Sequence, residues 1–322
     1  IGGHLVRQLQ TRGHEVWALV RDPARAALPS GVHAVKGDLA SVVSWAPHLR
    51  EVNALIHLAA RYRVGVVGRS ERAEMAASNV AGTAAVLEAG LQAGVSRMLY
   101  VSTTAALGET HGEVRDESAH HNGVFRSFYE QTKHVAHGIA LGMQQQGAPL
   151  CIAMPGGVFG PGDRSDLAQA LQQFVAGKLP AQVECDSRFQ LCHVEHVCDG
   201  LLRVLEQGEL GRNYLLTGEL VSLADLLARS AAQLGLREPK KIPRARLQPL
   251  ARVGDALRPL GLRLPLTQEA LAVMDGSTYT YGSARAEAEL GWPWQAAKAQ
   301  FWTQFDDYIR TLRLPTTKSA SC

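Results

Sequence analysis

Short apolar runs alternate with longer amphipathic stretches through the first half of the chain. The amphipathic stretches predict a helix around residues 5–9 that ends at Arg12-Gly13, and further helices over 71–93 and 124–146. The apolar runs predict strands over residues 15–20, 31–36, 53–58, 97–102 and 149–154. Strands that alternate with helices indicate an α/β fold in which a parallel sheet carries helices on both faces. Right-handed crossovers make that sheet doubly wound.

The alternation stops after about residue 160, where Gly160-Pro161-Gly162-Asp163 predicts a loop. Later helices and short strands are interspersed with prolines, which indicates a smaller C-terminal lobe. We therefore predict a first domain over 1–160, a lobe over 161–314 with some segments that return to the first domain, and a mobile tail over 315–322. The segment 239–266 is rich in Arg, Lys and Pro. It either caps a pocket or forms a solvated connection, and we favour the connection slightly.

Composition excludes several classes of protein. The 322 residues are 46% hydrophobic and 20% charged with a net charge of +3, which is typical of a globular protein and gives no reason to expect nucleic acid or a membrane surface as a partner. No apolar run reaches the roughly 18 residues that span a bilayer. Cys192, His193 and His196 lie close together, but no second ligand pair is nearby, so no metal site is predicted. Unpaired thiols without a signal peptide indicate a reducing cytoplasm.

The chain opens on Ile1-Gly2-Gly3 directly before the first helix. A dinucleotide site needs a glycine turn between the first strand and the first helix, where the pyrophosphate meets free N–H groups. Gly2 stands where the last glycine of such a turn belongs, and its missing side chain would let helix and strand pack closely. We expect that the strand before it and the earlier glycines have been lost. The alternative is an ordinary frayed glycine pair.

The end of the second strand bears on which cofactor is used. NAD enzymes place a carboxylate there for the ribose hydroxyls, whereas this chain has Val20 followed by Arg21. A guanidinium can bind a 2′-phosphate, so NADP is favoured over NAD. Asp38 can accept a hydrogen bond from the adenine amino group. The alternatives are a surface arginine before Pro23 and a turn aspartate.

Tyr129 and Lys133 are four residues apart in a predicted helix and therefore share a face. An ammonium near a phenol lowers the pKa of the phenol, so the tyrosine can exchange a proton with a substrate oxygen while hydride moves to or from a nicotinamide. The preceding strand ends in Ser102-Thr103, at the sheet edge where ligands bind in parallel sheets. These hydroxyls can hold the substrate oxygen, or they can cap local backbone groups.

Taken together and in order, these motifs resemble the extended short-chain dehydrogenase/reductases, the epimerase/dehydratase-type superfamily. The matching segments are Ile1-Gly2, 37–39 (GDL), 57–60 (HLAA), 79–83 (NVAGT), 101–105 (VSTTA), 129–133 (YEQTK), 155–163 (PGGVFGPGD), 193–197 (HVEHV) and 289–292 (ELGW). The resemblance implies a Rossmann-type NADP-binding domain over 1–160 and a mainly substrate-binding lobe over 161–314.

The resemblance also implies roles for individual residues. Thr103, Tyr129 and Lys133 would form the catalytic triad, with Ser102 as the near alternative for the hydroxyl, and Lys133 would bond the nicotinamide ribose. The residues that would bind the cofactor are Gly2, Arg21, Asp38, Leu39, Leu58, Ala59, Ala60, Tyr129, Lys133, Pro155 and Val158. Ala59 and Ala60 would approach the cofactor through backbone atoms, and Val158 would contact the carboxamide.

Two branches of the family are suggested. Residues 19–23 (LVRDP) resemble the dihydroflavonol reductase and aldehyde/ketone reductase branch, and 60–82 resemble hopanoid-associated sugar epimerases. Met154 replaces the usual arginine before Pro155, and Arg61 stands where the second group often has an acidic residue.

Three functions follow from this resemblance. The first is an NADPH-dependent reductase of a carbonyl compound. The second is a nucleotide-sugar epimerase or dehydratase, in which Arg61, Arg63 and Arg188 hold a pyrophosphate unless they are plain surface charges. The third is a non-enzymatic protein that keeps the fold. A homodimer through the helices holding 76–88 and 129–140 is possible in such a family.

Overall fold

The computed structural model describes residues 1–66, 68–257 and 267–313. Its strands are β1 (Trp17–Val20), β2 (His33–Lys36), β3 (Ala54–His57), β4 (Arg97–Val101), β5 (Leu150–Pro155), β6 (Gly157–Phe159), β7 (Ala181–Glu184), β8 (Arg188–His193), β9 (Asn213–Leu216), β10 (Glu219–Val221), β11 (Lys240–Pro243) and β12 (Thr278–Tyr279). Its α-helices are α1 (Gly2–Thr11), α2 (Arg69–Ala76), α3 (Gly82–Gln92), α4 (Phe128–Gln145), α5 (Asp166–Val175), α6 (Val194–Gln207), α7 (Leu223–Leu234), α8 (Arg244–Leu257), α9 (Gln268–Val273), α10 (Ala284–Leu290) and α11 (Trp294–Arg313). Short 3₁₀ turns cover Val42–Ser44, Ala46–Glu51 and Thr104–Ala106, and a π-helical segment covers Ala77–Ala81.

The strands of the predicted doubly wound sheet lie in two separate parallel sheets. β1 and β2 form a parallel pair, and β3, β4, β5 and β9 form a parallel sheet in the order β3-β4-β5-β9. β5 is buried along its whole length, as expected for a central strand covered on both faces. A further sheet of order β10-β8-β12, with β6 also paired to β8, and the parallel pair β7-β11 belong to the second half of the chain.

Alternate residues of the central strands face two separate cores. On β4, Leu99 packs with α1 and α6, whereas Met98 and Tyr100 pack with α3 and α4. Helices therefore cover both faces of the sheet, which confirms the predicted doubly wound α/β fold. A third core joins α5, α7 and α11 to the sheet around β8.

The predicted helix over 71–93 is divided by the π-helical segment Ala77–Ala81. A π turn adds one residue to a helical turn and displaces a side chain, and such turns are frequent at functional sites. Here it carries Asn79, whose amide donates to Arg61 O at 3.0 Å and to Thr132 Oγ1 at 3.0 Å. The irregular turn thus ties the loop after β3 to α4.

The helix predicted over 124–146 begins at Phe128 instead. Ser127 has extended backbone angles and its hydroxyl accepts from Glu130 N at 3.1 Å, so it caps the helix N-terminus. The Glu130 carboxylate also accepts from Arg126 N at 2.7 Å. This cap fixes the start of the helix that carries Tyr129 and Lys133.

β9 is the edge strand of the four-stranded sheet and α6 packs against that sheet, although both follow residue 160. The exact domain boundaries stay a prediction. Part of the segment 239–266 and all of the tail 315–322 lie outside the described residues. Within the ranges given above, none of the helices combines the length and apolarity that a bilayer crossing requires.

Candidate active site

A cavity of about 2040 Å³ is lined by β1 and β3 along their whole lengths and by residues that follow the carboxyl ends of β1, β3 and β4. Parallel sheets bind ligands at those carboxyl ends, so that part of the cavity is the candidate site. Every residue predicted from the sequence for the site contributes to its wall. These residues are Gly2, Arg21, Asp38, Leu39, Leu58, Ala59, Ala60, Ser102, Thr103, Tyr129, Lys133, Pro155 and Val158.

Lys133 lies on α4 with 2% of its surface exposed. Its ammonium donates to Tyr100 Oη at 3.0 Å and to Val101 O at 3.2 Å, both on β4. Burial lowers the pKa of Lys133 to about 7, because the charged form loses its hydration. A small change of surroundings therefore decides whether this group carries a charge at neutral pH.

Tyr129 lies one turn before Lys133 and packs edge-on against the Tyr62 ring, with 4.8 Å between ring centroids. Burial raises the pKa of Tyr129 above its ordinary value, and a hydrogen bond with the Thr103 hydroxyl opposes that rise. The sequence predicted a lowered pKa. That expectation is wrong, because burial disfavours the phenolate. Tyr129 is therefore a protonated phenol at neutral pH.

The structure separates the two candidate hydroxyls. Thr103 lies beside the Tyr129 phenol, and its oxygen also accepts from Ala105 N at 3.3 Å. Ser102 is buried and its oxygen bonds His137 Nδ1 at 3.1 Å. Thr103 thus combines the predicted proximity to Tyr129 with the predicted local cap, whereas Ser102 belongs to the packing between β4 and α4.

Asn79 is a site residue that sequence reasoning did not single out for a role. Its side chain holds the backbone of Arg61 from both sides, since Oδ1 accepts from Arg61 N at 2.7 Å and Nδ2 donates to Arg61 O. The same amide reaches Thr132 on α4, next to Lys133. Its signal in the sequence was a polar residue inside an apolar helical stretch, which a π turn then buries.

The loop after β1, in the β1-β2 pair, contributes positive charge to the cavity. Arg21 follows β1, and Arg25, which sequence reasoning missed, lines the wall four residues later. Neither guanidinium is in an ion pair within the described part of the chain. Asp38 lines the same wall, and its carboxylate accepts from Ala40 N at 3.0 Å, which is the turn geometry given as its alternative role.

Gly2 lies at the start of α1 beside Leu58. A Cβ added at Gly2 would meet Leu58 Cδ2 at 3.5 Å, which is an ordinary van der Waals contact. This contact involves the residue after β3, so the close packing predicted for Gly2 against a preceding strand stays a prediction. Its place on the cavity wall is as predicted.

The three residues that suggested a metal have separate partners. Burial raises the pKa of Cys192 to about 12, which keeps the thiol protonated. His196 Nε2 bonds the Gln304 side chain at 2.8 Å, and His193 Nδ1 accepts from Glu195 N at 3.4 Å. Among residues 1–66, 68–257 and 267–313, no three His, Cys, Asp or Glu side chains gather as metal ligands.

Comparison with known proteins decides the family. Residues 1–216 match the model of the NAD dependent epimerase/dehydratase family. The chain belongs to that family. This epimerase/dehydratase-family protein is 30% identical over 330 residues to "Putative dihydroflavonol 4-reductase" of Synechocystis, which covers 97% of this chain and 94% of the relative.

Further relatives carry different activities in their names. A 4-hydroxy-2-methyl-3-oxo-4-farnesyl-3,4-dihydroquinoline-1-oxide ketoreductase of Stigmatella aurantiaca is 29% identical, over 91% of this chain and 88% of its own. A crystal structure of a dTDP-glucose 4,6-dehydratase from Streptomyces venezuelae with NAD bound superposes with a TM-score of 0.77 at 21% identity, over 97% of this chain and 93% of its own. The second likeness concerns the fold alone. The protein is thus an extended short-chain dehydrogenase/reductase with an NAD(P)-binding Rossmann fold.

Proposed function

We propose that this protein is an NADP-dependent reductase that converts a ketone or aldehyde to an alcohol. The observation that carries the proposal is the convergence of Thr103, Tyr129 and Lys133 on one cavity, whose wall also includes Arg21. The phenol can protonate a substrate oxygen, and the guanidinium can select the cofactor.

The residues present fit a nicotinamide adenine dinucleotide phosphate. The cavity extends from Arg21 and Asp38, which follow β1 and β2, to Tyr129 and Lys133 on α4. Arg21 and Arg25 offer guanidinium groups to a 2′-phosphate, a group for which bidentate arginine contacts are well suited. When bound, the cofactor supplies the hydride. Leu39, Leu58, Ala59 and Ala60 would line its path, and Pro155 and Val158 would lie at the ring.

Tyr129 acts as the general acid. Because its phenol is protonated at neutral pH, it can donate its proton to the carbonyl oxygen as negative charge develops there. Thr103 would hold the same oxygen by donating its hydroxyl proton. Lys133, once charged, would stabilise the phenolate that remains and bond the ribose hydroxyls of the cofactor.

The second candidate is a nucleotide-sugar epimerase or dehydratase, which the family name and the Streptomyces structure suggest. The three arginines proposed to hold a pyrophosphate each contact a carboxylate: Arg61 with Glu74 at 2.6 Å, Arg63 with Glu71 at 3.5 Å, and Arg188 with Asp225 at 3.5 Å. Their charge is thus largely compensated within the protein.

Titration with NADPH and NADH, followed by a panel of neutral ketones and aldehydes, tests the proposal. A reductase consumes one NADPH for each alcohol formed, whereas an epimerase turns over sugar nucleotide without net use of the cofactor. Tighter binding of NADH than of NADPH would refute the assignment of Arg21. Binding of either cofactor without any turnover would favour the non-enzymatic reading. The cytoplasmic location and the homodimer through α3 and α4 stay predictions.

A further inference from the structure

Tyr100 lies next to the carboxyl end of β4 with none of its surface exposed. Its hydroxyl is 3.0 Å from the Lys133 ammonium, and the only other acceptor recorded for that ammonium in the described residues is Val101 O at 3.2 Å. Tyr100 is therefore one of two protein groups that hold the lysine in place.

The Lys133 ammonium is held by neutral oxygens of β4. No carboxylate forms an ion pair with it in the part of the chain that the structure describes. A buried ammonium without a carboxylate depends on neutral acceptors to replace its lost hydration. Removal of one of two acceptors should therefore shift the equilibrium toward the neutral amine.

The Tyr100 hydroxyl is the acceptor in its contact with Lys133. An ammonium carries only donors, so the Tyr100 oxygen must accept at the 3.0 Å distance between Nζ and Oη. Burial raises the pKa of Tyr100, while the Thr83 and Ser102 side chains oppose that rise. The phenol is therefore a neutral acceptor near pH 7.

The other titratable groups around the ammonium are neutral near pH 7. His57 on β3 stacks on the Tyr100 ring with 5.6 Å between centroids and bonds Thr83 Oγ1 at 3.0 Å. Burial, and next the Lys133 charge, lowers the pKa of His57 to about 3. Burial, then the charges of Lys133 and His134, lowers the pKa of His137 on α4 to about 4. Burial raises the pKa values of Tyr100 and Tyr129.

We propose that Tyr100 is a positioning residue: its hydroxyl holds the Lys133 side chain at the end of β4 and keeps it in the ammonium form that the reaction uses. That the reaction uses this ammonium rests on the proposed catalytic role of Lys133. The contact with Tyr100 and the protonation state of the lysine can be tested without turnover.

Lysine labelled with ¹³C at the ε carbon gives a direct measurement. The chain has seven lysines, and the Lys133 signal is assigned by its loss in Lys133→Met. In Tyr100→Phe we expect the titration midpoint of Lys133 to fall by about one pH unit, a tenfold shift of the equilibrium. Tyr100→Gln, which restores an acceptor oxygen, should recover part of that fall. An unchanged midpoint in Tyr100→Phe would overturn the proposal.

Tyr214→Phe is the matched control. Tyr214 is also fully buried, on β9, and its hydroxyl bonds Glu289 at 3.0 Å instead of the lysine. This variant loses a buried hydroxyl in the same sheet and should leave the Lys133 midpoint unchanged. An equal fall in both variants would indicate a general loosening of the fold and would contradict a specific role for Tyr100.

A second measurement uses the wild-type protein and does not depend on the folding of any variant. The ε protons of Lys133 should show nuclear Overhauser contacts with the ring protons of Tyr100 adjacent to the hydroxyl, and their absence would refute the contact. In kinetics, Tyr100→Phe should move the alkaline limb of the kcat profile to lower pH by the same amount. A shifted NMR midpoint with an unshifted profile would retain the contact and refute the catalytic role of Lys133 instead.

Discussion

The hydroxyl of Tyr129 is the group whose removal tests the proposed chemistry with least disturbance of the fold. Tyr129→Phe keeps the ring that packs edge-on against Tyr62 at 4.8 Å. It removes only the oxygen that bonds the Thr103 hydroxyl. Since Thr103 keeps its bond with Ala105 N, no buried partner loses its last hydrogen bond. The free energy of unfolding should therefore change by about 1 kcal/mol.

The expected loss of activity is much larger than the loss of stability. General acid catalysis by a positioned side chain contributes about 10²–10⁴-fold. Each factor of ten corresponds to about 1.4 kcal/mol of activation free energy, so the barrier should rise by about 3–5 kcal/mol. NADPH affinity should stay within about threefold, because the phenol contributes little to ground-state binding if it acts chiefly in the transition state.

The assay follows NADPH oxidation with a neutral carbonyl substrate and separates kcat from the dissociation constant of the cofactor. Tyr62→Phe is the matched control, since its hydroxyl is lost from the ring that contacts Tyr129 while the phenol of Tyr129 remains. The control should keep most of its kcat. A Tyr129→Phe enzyme that retained more than about a tenth of wild-type kcat would refute the role of the phenol as general acid.

Further predictions concern the cofactor, the second hydroxyl and the lysine. Arg21→Ala should weaken NADPH binding by about ten- to a hundredfold, as expected for a lost charge-assisted hydrogen bond, and leave NADH binding unchanged in fluorescence titration. Thr103→Val should lower kcat at least about tenfold while Ser102→Ala lowers it less, and the reverse order in steady-state kinetics would assign the role to Ser102. Lys133 has a pKa of about 7 in the folded protein, below its ordinary value of 10.5. Between these two pH values the unfolded chain binds one more proton than the folded chain. The free energy of unfolding therefore falls as the pH drops from 10.5 to 7. Lys133→Met should therefore be inactive and yet gain stability relative to wild type as the pH falls from 10.5 to 7 in denaturant melts, and a gain that does not vary with pH would contradict the burial of a titrating amine.

Local spacing in the sequence was enough to predict which residues line the cavity, while their roles stay a prediction. The four-residue interval between Tyr129 and Lys133 places both on one helix face, and the strand before Ser102 and Thr103 ends at the ligand-binding edge of the sheet. Such features depend on the chain within a few residues, which is why the predicted residues line one cavity in the structure.

Contacts between elements that are distant in the chain could not be predicted from the sequence. The bond of Lys133 with Tyr100 joins residues 33 positions apart and depends on how α4 packs on β4. That packing also buries Tyr129, and burial raises the pKa of its phenol, so the predicted fall was wrong. The π turn at Asn79 depends equally on distant partners, the Arg61 backbone and Thr132.

In the proposed reaction, hydride moves from a nicotinamide to a carbonyl carbon beside Tyr129. NADPH that carries deuterium in both C4 positions of the nicotinamide allows this transfer to be followed. We expect one deuterium at the new alcohol carbon for each NADP⁺ released, and no transfer in Tyr129→Phe. Turnover of a sugar nucleotide with no deuterium taken from added cofactor, while neutral carbonyls stay unreduced, would refute the proposed reaction.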